Sequence, residues 1–306
     1  MPDATVVCIG IATLDAIAVV DRLPERGERH EAVEARLAGG GVAATAAVAL
    51  ARLGVDVAFI GRVGDDAAGG FVRDALVADG VEVSGLRVVP GRTPVSLVLV
   101  EAGSGERTLV PDVRGLPPLE LDDRDVERAR YAAWVHVDQT GHPAIARLAA
   151  AGVAARVSLD GGNSVRRLDL AGVDLYAPTE AALLARHPGI LENALEAALA
   201  EGPSLVVATR GAAGSVAGWR RDDGAIVTHA EPAVAGVDIV STLGAGDAFH
   251  GALLAALVRG DDVPQALRWA NAAGALACRA LDGRTALPTT DELTAFLGQS
   301  ARRATR

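Results

Sequence analysis

The chain has 306 residues, half of them hydrophobic but only 3% aromatic, so its core must be built from Ala, Val and Leu. A formal charge of −10 argues against a basic nucleic-acid-binding surface, and because all 29 basic residues are arginine a P-loop lysine is excluded. Two cysteines in apolar runs, Cys8 and Cys278, offer no disulfide framework and no metal-ligand spacing. There is no leader-like N-terminus and no uncharged apolar run of roughly twenty residues, so the expectation is a cytoplasmic protein with neither membrane span nor nucleic-acid partner.

Along the chain, 6–10 reads as a first parallel strand ending in glycine. Asp15 follows just beyond that strand's carboxyl end, the edge where ligands collect in open α/β sheets. There it is either an exposed loop acid or an acceptor for two hydrogen bonds from a vicinal diol. Segments 16–20 and 30–37 read as short strands that interrupt the strand–helix rhythm. Gly39-Gly40-Gly41 opens a helix running to Leu53, and serves either as a linker or as a place where a ligand approaches backbone closely. A strand at 55–60 leads to Gly61-Arg62-Val63-Gly64-Asp65-Asp66, where an aspartate caps a helix over 67–78. Strands at 95–101 and 106–110, joined by a glycine turn, pair with 16–20 and 30–37 as a small sheet apart from the core. Such a sheet, built from two insertions, would form a lid.

From about residue 132 the order is plainly α/β. Strands are expected at 134–137, 156–159, 173–176 and 205–208, helices at 143–151, 179–186 and 190–200, and a hairpin at 215–228. Then Val237 to Val240 reads as a short strand, followed by the turn Gly244-Ala245-Gly246-Asp247 and a helix to about Arg259. Two more helices cover 264–280 and 291–297. The repeated order implies a mainly parallel sheet with helices on both faces and right-handed crossovers.

The turn at 244–247 carries the most chemistry. A glycine turn at a helix start leaves amides unpaired where the helix dipole favours negative charge. Asp247 would then stand as a base beside an anion hole, or simply near the cap of a tight connection. A dinucleotide fingerprint fails, because Phe249 replaces its third glycine and the motif comes late in the chain. No GxSxG elbow supports nucleophilic hydrolysis. Phosphoryl transfer to a hydroxyl fits better, since it needs positioning, electrostatic stabilisation and a base near the attacking oxygen.

Taken together, CIGIATLD at 8–15, AGGGVAATAAVALARLG at 38–54, GRVGDD, TRGAAG, STLGAGDAFHGALLAAL and WANAAGALAC resemble the ribokinase-like (PfkB) carbohydrate kinases. The motifs stand in the family's order from about residue 6 to 290. The resemblance implies one three-layer α/β kinase domain over 1–306, with a mainly parallel central sheet flanked by helices. Lid strands are inserted at about 16–38 and 95–110. It implies Asp247 as catalytic base, with Gly244, Ala245 and Gly246 as the anion hole. Asp15, Gly40, Gly41 and Thr45 match positions that bind the sugar. Thr209, Gly211 and Gly214 match the nucleotide loop, and Asn271 a position beside the adenine. ATP and Mg²⁺ are the implied cofactors, and a homodimer through the lid the implied assembly.

Three departures qualify this. Thr45 stands where the family commonly has asparagine. Ser241-Thr242-Leu243 replaces D-T-T, which leaves a monovalent cation requirement open. The N-x-x-E motif survives only as Glu180, either a surface residue or one that orients metal-bound water. Within the family, the GGG-x-AATAA variant, FHGA and Gly283-Arg284 look like the branch containing sulfofructose kinase. Arg29 and Arg107, near the lid strands, are the candidate sulfonate readers, although a solvated lid arginine is the plainer reading. Asp138 to His142 lacks the arginine expected in that branch. The function implied is an ATP-dependent kinase acting on a primary hydroxyl of a sugar. A non-catalytic sugar or nucleotide sensor and a nucleoside kinase are the alternatives.

Overall fold

The computed structural model describes residues 5–162, 168–221 and 223–304. In chain order the first half contains β1 (Val6–Ile9), β2 (Thr13–Val20), β3 (Glu34–Gly40), α1 (Val42–Arg52), β4 (Val57–Gly64), α2 (Ala67–Ala78), β5 (Glu82–Val89), β6 (Val95–Glu101), β7 (Arg107–Asp112), α3 (Asp123–Arg130), β8 (Trp134–Val137) and α4 (Ala144–Ala150). The second half contains β9 (Arg156–Gly162), β10 (Leu175–Pro178), α5 (Glu180–Arg186), α6 (Leu191–Ala200), β11 (Leu205–Thr209), β12 (Ser215–Arg220), β13 (Ile226–Glu231), α7 (Ala245–Arg259), α8 (Val263–Ala277) and α9 (Thr290–Ala304).

The main sheet has nine strands in the order β13-β12-β11-β10-β9-β8-β1-β4-β5, parallel except for the pairings β11–β12 and β12–β13. Its middle strands are apolar on both faces because helices cover both. In β1, Val6 and Cys8 join one buried cluster with α1, α7 and α8, while Val7 and Ile9 join another with α3, α4 and α6. The scarcity of aromatics finds its reason in the first cluster. A Cβ on Gly251 of α7 would lie 2.6 Å from the Ala49 methyl of α1, so these helices pack at a distance only small residues allow.

The lid is a second, four-stranded sheet of order β3-β2-β6-β7, in which β2 and β6 run parallel. Its inner residues Ile17, Val98 and Val100 are buried against Leu243 and Leu281, which seats the lid over the start of α7. No helix among the described residues is long and apolar enough to cross a membrane.

Several expectations change. The lid strands lie at Thr13–Val20 and Glu34–Gly40, so Asp15 is a strand residue rather than a loop acid. The expected strand at 237–240 is irregular chain. Val240 and Ser241 both donate their amides to Cys278 O, at 2.8 and 3.2 Å, and Ile239 and Val240 stay exposed. Apolar residues there met a helix end, not a sheet. Two elements were not anticipated. β5 is one of the sheet's two edge strands, and α3 is a strongly polar helix fixed by a capping box between Asp122 and Asp125.

Candidate active site

Three segments converge where the lid meets the carboxyl ends of the central strands. The first is the start of α7. Gly244 is its N-cap with φ 76°, and a Cβ there would lie 2.4 Å from Gly283 Cα, so only glycine fits. The first helical bond runs from Ala248 N to Gly244 O at 2.9 Å, which leaves the Gly246 and Asp247 amides without a partner among the described residues. Asp247 sits in this first turn beside them. The expected acid at 241 is replaced by Ser241, fully buried, whose Oγ accepts from Leu243 N at 3.2 Å and shapes the approach to the turn.

The second segment is the base of the lid. Asp15 of β2 is buried and accepts from Thr13 Oγ1 at 2.8 Å. A Cβ on Gly40 would fall 2.1 Å from Asp15 Oδ2, so the missing side chain there makes room for the carboxylate. Gly41, with φ 96°, turns the chain into α1, and Thr45 lies buried one turn further on. Asp138 at the end of β8 completes this corner. Its carboxylate accepts from the amides of Ile11 and Ala43 at 2.8 and 3.2 Å and those of Thr140 and Gly141 at 2.8 and 2.9 Å. It ties three loops together and caps α1 from outside the helix.

The third segment lies under Asp247. His250, one turn along α7, places Nε2 3.3 Å from Asp160 Oδ2 at the end of β9, and both are buried. Burial and the neighbouring Asp138 charge push the Asp160 carboxyl up to about 7, while burial holds His250 down to about 4. The pair is therefore held toward its uncharged forms. Asp247 is half-buried. Desolvation first, then the charges of Asp160 and Asp15, hold its carboxyl well above the usual carboxylate range, with Arg107 and Arg284 pulling the other way.

The remaining predicted residues divide. Arg107 of β7 faces inward and donates to Thr242 Oγ1, linking the lid to the turn before α7. Arg29 lies exposed on the β2–β3 connection with no hydrogen bond or ion pair among the described residues. Thr209 ends β11, and Gly211 and Gly214 flank a single 3₁₀ turn with φ 54° and 88°. Gly214 abuts residues 231–233, where a Cβ would lie 2.2 Å from Glu231 O. Asn271 meets the same place. Its Nδ2 donates to Glu231 O at 3.0 Å and Pro232 O at 3.1 Å, so that amide braces the loop and only Oδ1 is left for another partner. Glu180, at the start of α5, accepts from Arg210 Nε at 3.3 Å beside the 209–214 loop. A single carboxylate suits Mg²⁺, which keeps several waters and takes the rest of its shell from phosphates. No cluster of three metal-ligating side chains occurs among the described residues.

Asp138, Asp160, His250 and Arg284 were not anticipated as site residues. Asp138 and Asp160 come at the ends of β8 and β9, Arg284 on a turn and His250 inside α7, and their local sequence does not state a role at the site.

The sequence profile of the pfkB family carbohydrate kinases matches residues 3–290. An ATP-dependent ribose-1-phosphate kinase of Halopiger xanaduensis is 34% identical, covering 96% of this chain and 98% of its own. A fructokinase of Vibrio alginolyticus is 31% identical, covering 92% and 97%. Among solved structures, Arabidopsis thaliana ribokinase complexed with ribose and ATP superposes with a TM-score of 0.80 at 24% identity, covering 96% of this chain and 98% of that one. Thermotoga maritima ribokinase gives 0.82 at 21%, covering 96% and 99%. These two structures establish a ribokinase-like fold.

Proposed function

The chain belongs to the pfkB family of carbohydrate kinases, and from that premise we propose that it transfers the γ-phosphoryl group of ATP to a primary hydroxyl of a pentose or ketose, with Asp247 as the base. The observation that carries this reading is Asp247 itself. It stands in the first turn of a helix with free leading amides, and its proton affinity is raised by burial and then by the charges of Asp160 and Asp15. A base tuned upward takes a proton from a hydroxyl better than an ordinary carboxylate does.

The roles follow from placement. Asp15, acceptor-only when ionised, orients the sugar through its hydroxyls, and Gly40 and Gly41 let the ring approach the backbone. Thr45 adds a hydroxyl where a longer amide is common. The amides of Gly244 to Asp247 receive the charge that develops on the transferred group. Thr209, Gly211 and Gly214 would hold ATP, and Asn271, with its Oδ1 uncommitted, would stand at the base. Glu180 would orient a water of the Mg²⁺ that accompanies ATP, whose chemistry is to neutralise phosphate charge. The acceptor classes come from relatives that act on ribose-1-phosphate and on fructose. Sulfofructose stays in the range because Arg107 presents a cation on the inner lid face, though Asp138 is committed to four amides where that branch would need an arginine. Two buried, unpaired cysteines suit a reducing compartment, and the cytoplasm is where we place the reaction.

The test is ADP release with Mg-ATP over ribose, ribose-1-phosphate, fructose, sulfofructose and a set of nucleosides. Turnover is expected with a sugar, and Asp247→Ala should lower it by at least about a hundredfold while leaving ATP binding intact. Turnover confined to nucleosides would move the assignment to a nucleoside kinase. No ADP with any acceptor, together with ligand-induced thermal stabilisation, would make the protein a sensor.

A further inference from the structure

The turn at 282–285 touches both the start of α7 and the base of the lid. Asp282 shapes it, accepting from the amides of Arg284 and Thr285 at 3.0 and 2.7 Å and from Thr285 Oγ1 at 2.8 Å. The same carboxylate meets Arg36 of the lid strand β3 at 3.2 Å. Gly283 packs directly on Gly244, the N-cap of α7. From the next position Arg284 reaches the opposite way. Its Nη2 donates to Gly40 O at 2.7 Å and its Nε to Thr45 Oγ1 at 3.3 Å. Gly39 leaves room for it, since a Cβ there would lie 2.4 Å from Nη1.

Arg284 is 5% exposed, and it is the one buried arginine among the described residues. The carboxylates that act on it are those of Asp79, Asp15, Asp247 and Asp282, and the chain has no lysine. A buried guanidinium is costly unless it is hydrogen-bonded and compensated by charge. Here it makes two bonds, both to the acceptor side of the cleft, while its backbone neighbour forms the wall of the anion-hole turn. The fork geometry matters, because a guanidinium can hold a carbonyl and a hydroxyl in fixed relation where an ammonium cannot.

We propose that Arg284 is a positioning residue for phosphoryl transfer, a strut that fixes the acceptor loop at Gly40 and Thr45 against the anion-hole turn at Gly244. The inference rests on Asp247 being the base. The groups facing Asp247 are Asp160 from β9 and Asp15 from β2, which raise its proton affinity, and Arg107 from β7 and Arg284, which lower it. His250 on its own helix is held neutral. Removing Arg284 therefore moves the acidic limb of the pH profile upward, since the base must be deprotonated to act. It also lets the acceptor drift from the transferred group, an effect a purely structural arginine would not confine to one substrate.

The experiment compares wild type, R284K and R284A, the last with and without guanidinium chloride, using the best acceptor from the sugar panel. R284A is expected to lose about a hundredfold in kcat, the cost of roughly an ångström of misplacement. Its KM for ATP should stay within about twofold while KM for the sugar rises. Its acidic limb moves to higher pH, and millimolar guanidinium restores part of the rate. R284K keeps the charge but not the fork, so it should keep the acidic limb and lose about tenfold in kcat. If R284A does not fold, R284K decides alone. Wild-type kcat in either variant overturns the inference. So does an R284A loss with an unmoved limb, an equal rise in KM for ATP and no rescue. An inactive wild type sinks the kinase reading and this inference with it, whereas an active wild type with an indifferent R284K sinks the inference alone.

Discussion

At the scale of single residues, the site is a set of carboxylates kept apart by what each one touches. Asp138 is satisfied by four amides, Asp15 by Thr13, and Asp160 only by Gly162 N at 2.7 Å and the neutral His250. Asp160 is thus the least compensated, which is why it rises to about 7 and why its charge is the largest Coulombic influence raising Asp247. Asp160→Asn removes that like charge without changing volume. The acidic limb of kcat/KM should then move to lower pH, because Asp247 loses its proton more easily. Stability gives a second check. A carboxyl raised from an ordinary 3.8 to about 7 binds its proton more tightly folded than unfolded, so stability falls as pH rises across that window. Removing it should raise the melting temperature more at pH 8 than at pH 5. An unmoved limb with an unmoved melting curve would mean that Asp160 is fully solvated in solution. In the sequence Asp247 stood out because glycines flank it at a helix start. Asp138, Asp160, His250 and Arg284 did not, because what defines them is proximity between segments far apart in the chain.

At the scale of elements, the fold was legible wherever local pattern and tertiary role agree. β1, β8, β9 and β11 are short apolar runs covered on both faces, and α1, α7 and α8 are alanine-rich runs with clear glycine, aspartate or proline signals at their ends. Edges were harder. β5 has Ser84 and Gly85 within it and pairs on one side only, so nothing in its composition announces a strand. α3 has little apolar face, and its existence depends on caps. The stretch 237–240 has strand composition, but its last amide, at Val240, goes with that of Ser241 to the end of α8. The β3–α1 junction shows how an element carries the site. Gly40 is the last residue of β3, and its bare Cα faces the Asp15 carboxylate. Gly40→Ala must displace Asp15, which Thr13 holds in place, while β11 and its loop lie elsewhere. The expected result is a rise in KM for the sugar of about tenfold or more, with KM for ATP nearly unchanged. Equal changes in both constants would show that Gly40 serves the fold and not the acceptor.

At the scale of the whole molecule, the lid has two faces with different destinies. The inner one is accounted for by Leu243 and Leu281. On the outer one, register places Leu37, Ala16, Leu97 and Val110 side by side across all four strands, with Ala35, Ala18, Leu99 and Thr108 forming the next row. Leu37, Leu97 and Val110 are more than half exposed, at 58%, 57% and 59%. A contiguous apolar row on a sheet raised above the body is a surface that asks for a partner. We propose a second copy of the chain, lid against lid. Covering the exposed part of each of these side chains contributes about 1–2 kcal/mol, and a symmetric contact counts each one twice, against the rotational and translational cost of association. The wild type should therefore sediment at twice the 31.1 kDa chain mass at micromolar concentration. Leu97 is at the centre of the row, so Leu97→Arg would set two guanidinium groups against each other across the two-fold axis and should yield monomers. Because Ser96 and Asp15 are paired on the opposite face of the same strands, losing the dimer should loosen the lid and raise KM for the sugar more than KM for ATP. A wild type that is already monomeric, or a Leu97→Arg dimer, would send the outer lid face to another partner and leave Asp15 dependent on the body of its own chain alone.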